Sequence, residues 1–363
     1  MTARVLHTAR VDDETRARRD RCTSFLHGDG PLDPAALVAS LGDVVPDTYG
    51  DGGAVADLES TVADLLGFPA AVFLPSGTMA QAATLRVHAD ARGRRTVLWH
   101  HACHLATHEG GAASRLHQLE GCAVGDRTRL ITRADLDDVA EPVAALLLEL
   151  PQRDLGGALP TWDDLTAQVA WAREHGAAAH LDGARLWEAS AGYDRPPAEI
   201  AGLFDTAYVS FYKGIGALAG CCVVGSPKVV AQVREWRHRL GGTLYGLWPL
   251  AASALRRLAE RLAEMPARFE HARAIAAAVA DVDGVRVFPD PPQAPMMHLT
   301  FAVTAERFGA NARALAEDRG VWTWAEPGAT DDPGVVRCEL SVGRGTCAMS
   351  VDDVAAALRA LVA

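Results

Sequence analysis

Lysine is almost missing from this 363-residue chain: only Lys213 and Lys228 occur, and every other strong cation is arginine. No apolar run approaches the roughly 18 residues that cross a membrane. The start, Met1-Thr2-Ala3-Arg4-Val5, lacks the continuous apolar segment of a signal peptide, so a soluble, unexported protein is expected. Nor is there a C-x-x-C pair among the seven cysteines Cys22, Cys103, Cys122, Cys221, Cys222, Cys338 and Cys347. An odd count in a chain too long to need staples points to a reduced, cytoplasmic setting. Positive charge is not in excess either. A formal charge of −11 disfavours nucleic acid and acidic membranes as partners, because a net-acidic surface attracts neither. The arginine-rich patch from Arg16 to Arg21 is the local exception, read as a solvated N-terminal arm before an anion site. Low-complexity linkers and repeats of solenoid period are also missing.

What is present suits a globular fold: 49% hydrophobic residues, 22% charged residues, and 33 glycines and 19 prolines spread through the chain. Short apolar runs alternate with helical patterns, which predicts an α/β fold with a mostly parallel sheet. Strands are expected at Ala70–Leu74, Thr96–Trp99, Val143–Leu148, Ala177–Leu181, Ala207–Tyr212 and Cys221–Val224. Helices are expected at Ala54–Leu66, after Pro75-Ser76-Gly77-Thr78, and at Thr161–His175 with Thr161 as N-cap. From about Leu250 the texture changes to alanine- and arginine-rich helix, Ala251–Val282, broken near Pro266. Short strands (Val285–Phe288, Met297–Val303, Val335–Leu340) and two helices (Ala305–Arg319, Val351–Leu361) follow. The domains expected are an N-terminal arm over 1–27, a large domain over 28–250, and a smaller α+β domain over 251–363 that opens on a bridging helix.

The chemistry gathers in a few places. Lys213 sits in Ser210-Phe211-Tyr212-Lys213-Gly214-Ile215-Gly216. Desolvation there would lower its pKa and free a neutral amine for attack on a carbonyl, which arginine cannot offer; the bland alternative is a lysine snorkelling to water. Asp182 and Arg185 fall in His180-Leu181-Asp182-Gly183-Ala184-Arg185 at a strand end, where α/β sheets bind ligands, although an internal ion pair would also explain them. Ser76-Gly77-Thr78 between a strand and a helix could receive an anion on backbone N–H groups or simply cap the helix. His100, His104 and His108 are spaced i, i+4, i+8 if helical, with Cys103 and Glu109 nearby. No further ligand with its own second shell is evident, so no metal is expected, and a single histidine facing a cofactor is preferred.

These pieces occur in a recognisable order. Tyr49-Gly50-Asp51-Gly52, Pro75-Ser76-Gly77-Thr78, His104-Leu105-Ala106-Thr107-His108-Glu109-Gly110-Gly111, the Asp182/Arg185 segment and the Lys213 segment together resemble the threonine aldolase and β-eliminating lyase family of pyridoxal-phosphate enzymes, over roughly residues 25 to 345. The resemblance implies the aspartate aminotransferase-like fold (fold type I) and pyridoxal 5′-phosphate as cofactor. It makes Lys213 the Schiff-base lysine, Asp182 the partner of the pyridine nitrogen, and Ser76, Gly77 and Thr78 the phosphate cradle. His104 would stack on the ring, and Arg185 would lie near the ring hydroxyl and the substrate carboxylate. Tyr49 and Arg337 would help bind substrate, Arg337 by gripping its carboxylate. The implied reaction cleaves an L-β-hydroxy-α-amino acid to glycine and an aldehyde, in a homodimer or homotetramer with shared sites between domains and near a subunit interface.

Three departures bear on the substrate. Gln152, in Glu149-Leu150-Pro151-Gln152-Arg153, replaces a histidine that contacts the β-hydroxyl; an amide can orient that group but cannot take its proton. Gly28 replaces a serine near the carboxylate, and Tyr245 stands near the place of an arginine that reaches the phosphate from a neighbouring subunit. The base is then expected to be a water or His104, with Gln152 positioning the hydroxyl. β-Elimination, transamination and a non-catalytic cofactor-binding protein stay open as alternatives.

Overall fold

The computed structural model describes residues 12–363; the expectations for Met1–Val5, and for the first eleven residues of the N-terminal arm, fall outside these. The chain divides into two compact units, one of residues 34–154 and 159–263 and the other of residues 12–33, 155–158 and 264–363.

The first unit is built on a seven-stranded sheet. Its order is Ala70–Leu74, Cys221–Gly225, Thr206–Ser210, Ala178–Gly183, Ala145–Glu149, Thr96–His100 and Glu120–Val124. Only Cys221–Gly225 runs antiparallel to its neighbours; the other pairings are parallel. The four strands from Ala145–Glu149 to Cys221–Gly225 are buried at every residue. This is why they read as unbroken apolar runs: helices cover both faces of a parallel sheet, so no alternation is left in the sequence. Gly53–Leu66, Gly77–Arg92, Trp162–Glu174 and Pro227–Arg239 are among those helices. Thr161 caps its helix as expected, its hydroxyl accepting the Asp164 N–H at 3.2 Å.

The edge strand Glu120–Val124 is not apparent from the sequence, because it is mostly exposed and carries a glycine. The glycine has a reason: a Cβ on Gly121 would collide with the Trp99 indole of the adjacent strand. The histidine series also differs from a single helix, since His100 ends the strand Thr96–His100 and His104 opens the short helix His104–Thr107. His100 Nε2 bonds instead to the carbonyls of Asp126 and Arg129, at 3.1 and 2.9 Å.

The second unit holds an antiparallel sheet in the order Gly328–Ala329, Val336–Ser341, Met296–Phe301, Val285–Phe288. Its core gathers Phe301, Phe308, Leu340 and Leu358, with the last two long helices, Ala305–Arg319 and Val351–Val362. One expectation, the helix break near Pro266, needs correction. The patch expected as a solvated arm forms the helix Asp13–Arg21, none of whose residues is buried, capped by Asp12, with acids in its first turn and arginines in its last, as the helix dipole favours. Arg18 there pairs with Glu14 at 2.8 Å and Glu317 at 3.0 Å. The helix Trp248–Val279 runs through Pro266 without a break. An interior proline costs about 3 kcal/mol, and burial of Met265, Phe269 and Ala272 around it supplies apolar contact of that order.

Candidate active site

The carboxyl ends of the central strands collect the reactive groups of the first unit. Asp182 and Glu149 are paired in register on adjacent parallel strands, and both are buried. Gly183 is needed because a Cβ there would meet the Tyr208 carbonyl oxygen at 2.7 Å, and the Ala184 N–H donates to Asp182 Oδ1 at 3.1 Å. That is the hydrogen bond the Asp182 carboxylate receives among the described residues; the ion pair with Arg185 that the sequence allows is not among its contacts. A carboxylate so deeply buried with a single amide donor is poorly compensated unless a cation comes to it.

Lys213 lies three residues past the end of Thr206–Ser210 and is half-buried. Burial lowers its pKa below the ordinary 10.5 and the charge of Arg185 lowers it further, while Asp182, Glu149 and Glu188 pull the other way without cancelling the shift. Its Nζ lies 5.5 Å from the centre of the Tyr212 ring. The amine is therefore more readily neutral than a surface lysine, in the field of a buried carboxylate.

The helix Gly77–Arg92 begins at the end of Ala70–Leu74, with Ser76 in the extended N-cap conformation but making no side-chain cap. First-turn N–H groups left without a cap suit an anion. Gly77 is needed on steric grounds as well, because a Cβ there would overlap the Tyr208 hydroxyl, and Tyr208 is the register partner of Asp182. The strand, turn and helix thus bring a backbone cradle to the same sheet edge as Asp182.

His104 Nδ1 lies 3.1 Å from Glu109 Oε1. With the carboxylate accepting, Nδ1 carries the proton and Nε2 is left as the basic nitrogen. Burial draws the His104 pKa down, but the Glu109 hydrogen bond and the charges of Asp182 and Glu109 outweigh it, and the net shift is upward. Glu149 accepts three bonds: from the His104 N–H and from Gln152 Nε2, both on Oε2, and from the Arg153 N–H on Oε1, each at 3.1 Å. Gln152 Nε2 also donates to the Ala102 carbonyl at 3.1 Å. Both amide hydrogens of Gln152 are thus committed inside the protein, and Oε1 is the atom it can offer to a ligand.

A family model described as β-eliminating lyase matches residues 32–302. The chain belongs to the β-eliminating lyase family. A solved structure from Exiguobacterium sp. 255-15, assigned as an aromatic amino acid β-eliminating lyase/threonine aldolase, is 35% identical, with a TM-score of 0.90 over 95% of this chain and 99% of that one. Another from Listeria monocytogenes EGD-E, assigned as an L-allo-threonine aldolase, is 34% identical, with a TM-score of 0.91 over 95% and 97% of the two chains. An Arabidopsis thaliana protein assigned as a low-specificity L-threonine aldolase is 31% identical over 71% of this chain and 75% of its own length.

In this member of the family, the residues fit pyridoxal phosphate. Asp182 is a buried anion with an oxygen to spare, the Gly77 turn is a cradle that a Cβ would fill, and Lys213 is an amine of lowered basicity. Electrostatics tie together Lys213, Asp182, Arg185, His104 and Glu149. Tyr49 is 55% exposed, adopts φ 53°, and meets the Tyr245 ring edge-on at 5.5 Å. Arg337 is exposed on Val336–Ser341 of the second unit, opposite Thr300. Glu149 is not singled out by the sequence patterns above, although an acid closing an apolar strand is its signal. Glu109, a neighbour of the histidine series in the sequence, is the hydrogen-bond partner of His104.

Proposed function

We infer that this chain is a pyridoxal-phosphate-dependent carbon–carbon lyase that cleaves a threonine-like L-β-hydroxy-α-amino acid to glycine and an aldehyde. The observation that carries the reading is Lys213, an amine made less basic by burial, placed at one sheet edge with the under-bonded buried Asp182. The threonine aldolase assignments of its relatives in three organisms agree with it.

When bound, pyridoxal phosphate supplies an aldehyde for condensation with amines and a ring that accepts electrons from Cα. Lys213 would hold it through that aldehyde. Asp182 would keep a proton on the ring nitrogen by offering a buried negative charge, and Ser76, Gly77 and Thr78 would receive the phosphate on the helix terminus. Breaking Cα–Cβ requires that the β-hydroxyl lose its proton and that Cα later gain one. His104 Nε2 is the base the site provides for the first transfer, oriented by Glu109 through Nδ1. Gln152 accepts the substrate hydroxyl on Oε1 and orients it without removing its proton. Glu149 holds the His104 backbone and the Gln152 amide on one oxygen, and so sets base and hydroxyl acceptor relative to each other. Arg185 and Arg337 are assigned to the substrate carboxylate, and Tyr49 to the substrate side.

A homodimer or homotetramer with shared sites is consistent with the exposed cluster of Tyr49, Leu244 and Tyr245, and a cytoplasmic setting with seven cysteines that are all unpaired. No helix among the described residues is long and apolar enough to cross a membrane. The test of the function is product analysis with a panel of β-hydroxy amino acids. Glycine and an aldehyde in equal amounts support it; ammonia and a keto acid overturn it in favour of β-elimination.

A further inference from the structure

Behind the sheet edge lies a buried polar chain that the mechanism does not use. His180 is two residues before Asp182 and therefore on the same face of the strand. Its Nε2 bonds to Gln81 Oε1 and its Nδ1 to Thr206 Oγ1, and Thr206 Oγ1 also bonds to His88 Nε2, each at 2.8 Å. All four side chains are at most 3% exposed. The direction of the chain can be worked out. Gln81 Oε1 can only accept, so His180 Nε2 donates to it and Nδ1 is the acceptor of the neutral ring. The Thr206 hydroxyl must then donate to His180 Nδ1 and accept from His88 Nε2–H. Both rings are neutral: burial lowers the pKa of His88 to about 4 and that of His180 to about 3. Each ring nitrogen named is used once, and the Thr206 hydroxyl once as donor and once as acceptor.

The ends of this chain sit on one helix and its middle on two strands. Gln81 and His88 belong to Gly77–Arg92, while His180 and Thr206 are register partners on adjacent strands. The two helix positions are roughly 10.5 Å apart along the axis, so the helix is pinned at two points, against sliding and against rolling. Apolar packing alone would be non-directional and would resist neither as sharply. Gln81 is four residues past Gly77, one turn from the proposed phosphate cradle.

We propose that the directed chain His88–Thr206–His180–Gln81 is a positioning device for the cofactor site, holding the phosphate-binding helix terminus in register with the strands that carry Asp182 and lead to Lys213. This rests on the pyridoxal-phosphate reading. The four residues are positioning residues and touch neither cofactor nor substrate in this account. Thr206→Val keeps the shape and removes the central hydroxyl, Gln81→Met removes the terminal acceptor, and Thr206→Ser restores the hydroxyl.

The experiment resolves each holoenzyme of its pyridoxal phosphate, titrates the cofactor back by absorbance, and records the ³¹P shift of the bound phosphate and the urea midpoint of the cofactor-free protein. Thr206→Val and Gln81→Met are expected to weaken cofactor binding about tenfold, the effect of one buried hydrogen bond, and to move the ³¹P shift, while Thr206→Ser stays within about twofold of wild type. Should Thr206→Val not fold, Gln81→Met carries the same comparison. Folded variants with wild-type affinity and an unmoved ³¹P shift overturn the inference, even if their urea midpoints fall, and leave the cofactor reading intact. A wild-type protein that takes up no pyridoxal phosphate overturns both.

Discussion

Asp182 and Glu149 are carboxylates on neighbouring strands, paired in register and both buried, yet the protein treats them in opposite ways. Glu149 receives three donors from its own chain, and Asp182 receives one. Glu149 is nevertheless pushed up to about 7, first by burial and next by the charge of Asp182, with the Arg153 and His104 amides opposing. Hydrogen bonds from neutral amides do not offset a second buried charge close by. The comparison separates two roles: Glu149 organises protein groups and can do so while sharing a proton, whereas Asp182 has its free oxygen for a cation from outside.

The largest expected effect comes from removing the group that both acids act upon. Lys213→Ala should cost at least about a thousandfold in kcat/KM, as losing a covalent nucleophile does, and should abolish the yellow colour of the holoenzyme. Asp182→Asn should come next, at on the order of a hundredfold, the scale of losing one charged partner in a buried site. It also tests the comparison directly: with the Asp182 charge gone, the midpoint of Glu149, followed by carboxyl NMR in the cofactor-free protein, should fall below about 7. A Glu149 midpoint unchanged in Asp182→Asn would mean that burial alone sets it.

Gln152→Ala should raise KM for β-hydroxy amino acids about tenfold through the lost hydroxyl contact, with no effect on binding of glycine, which has no hydroxyl; unaltered cleavage of every substrate tested would rule that contact out. The smallest effect is a shift along the pH axis. His104 must be unprotonated to act as base, and its pKa is raised chiefly by Glu109 against the pull of burial. Glu109→Gln should therefore move the acid limb of the kcat/KM profile to lower pH, with a few-fold lower plateau as orientation is lost.

Much of this was legible in the chain because the sheet is parallel and the reactive residues close its strands. Strand Ala70–Leu74 and helix Ala305–Arg319 match the expected bounds, since each is framed by strong turn or capping residues. Lys213 and Asp182 stand out because each ends an apolar run with a group that has no reason to be buried. The Glu149–Gln152 node and the His88–Thr206–His180–Gln81 chain were not legible. Their partners come from separate strands and helices, so no local spacing carries them. Pro266 misled for the converse reason: its local preference is plain, and the burial that overrides it is tertiary.

The central claim is that Lys213 holds pyridoxal phosphate beside Asp182. The chain's two lysines allow a direct test: load the protein with the cofactor, reduce with borohydride, digest, and locate the added pyridoxyl-phosphate mass. The account predicts modification of Lys213 in wild type and none in Lys213→Ala. A label confined to Lys228, which is exposed at the start of Pro227–Arg239, or no label on either lysine, would contradict it.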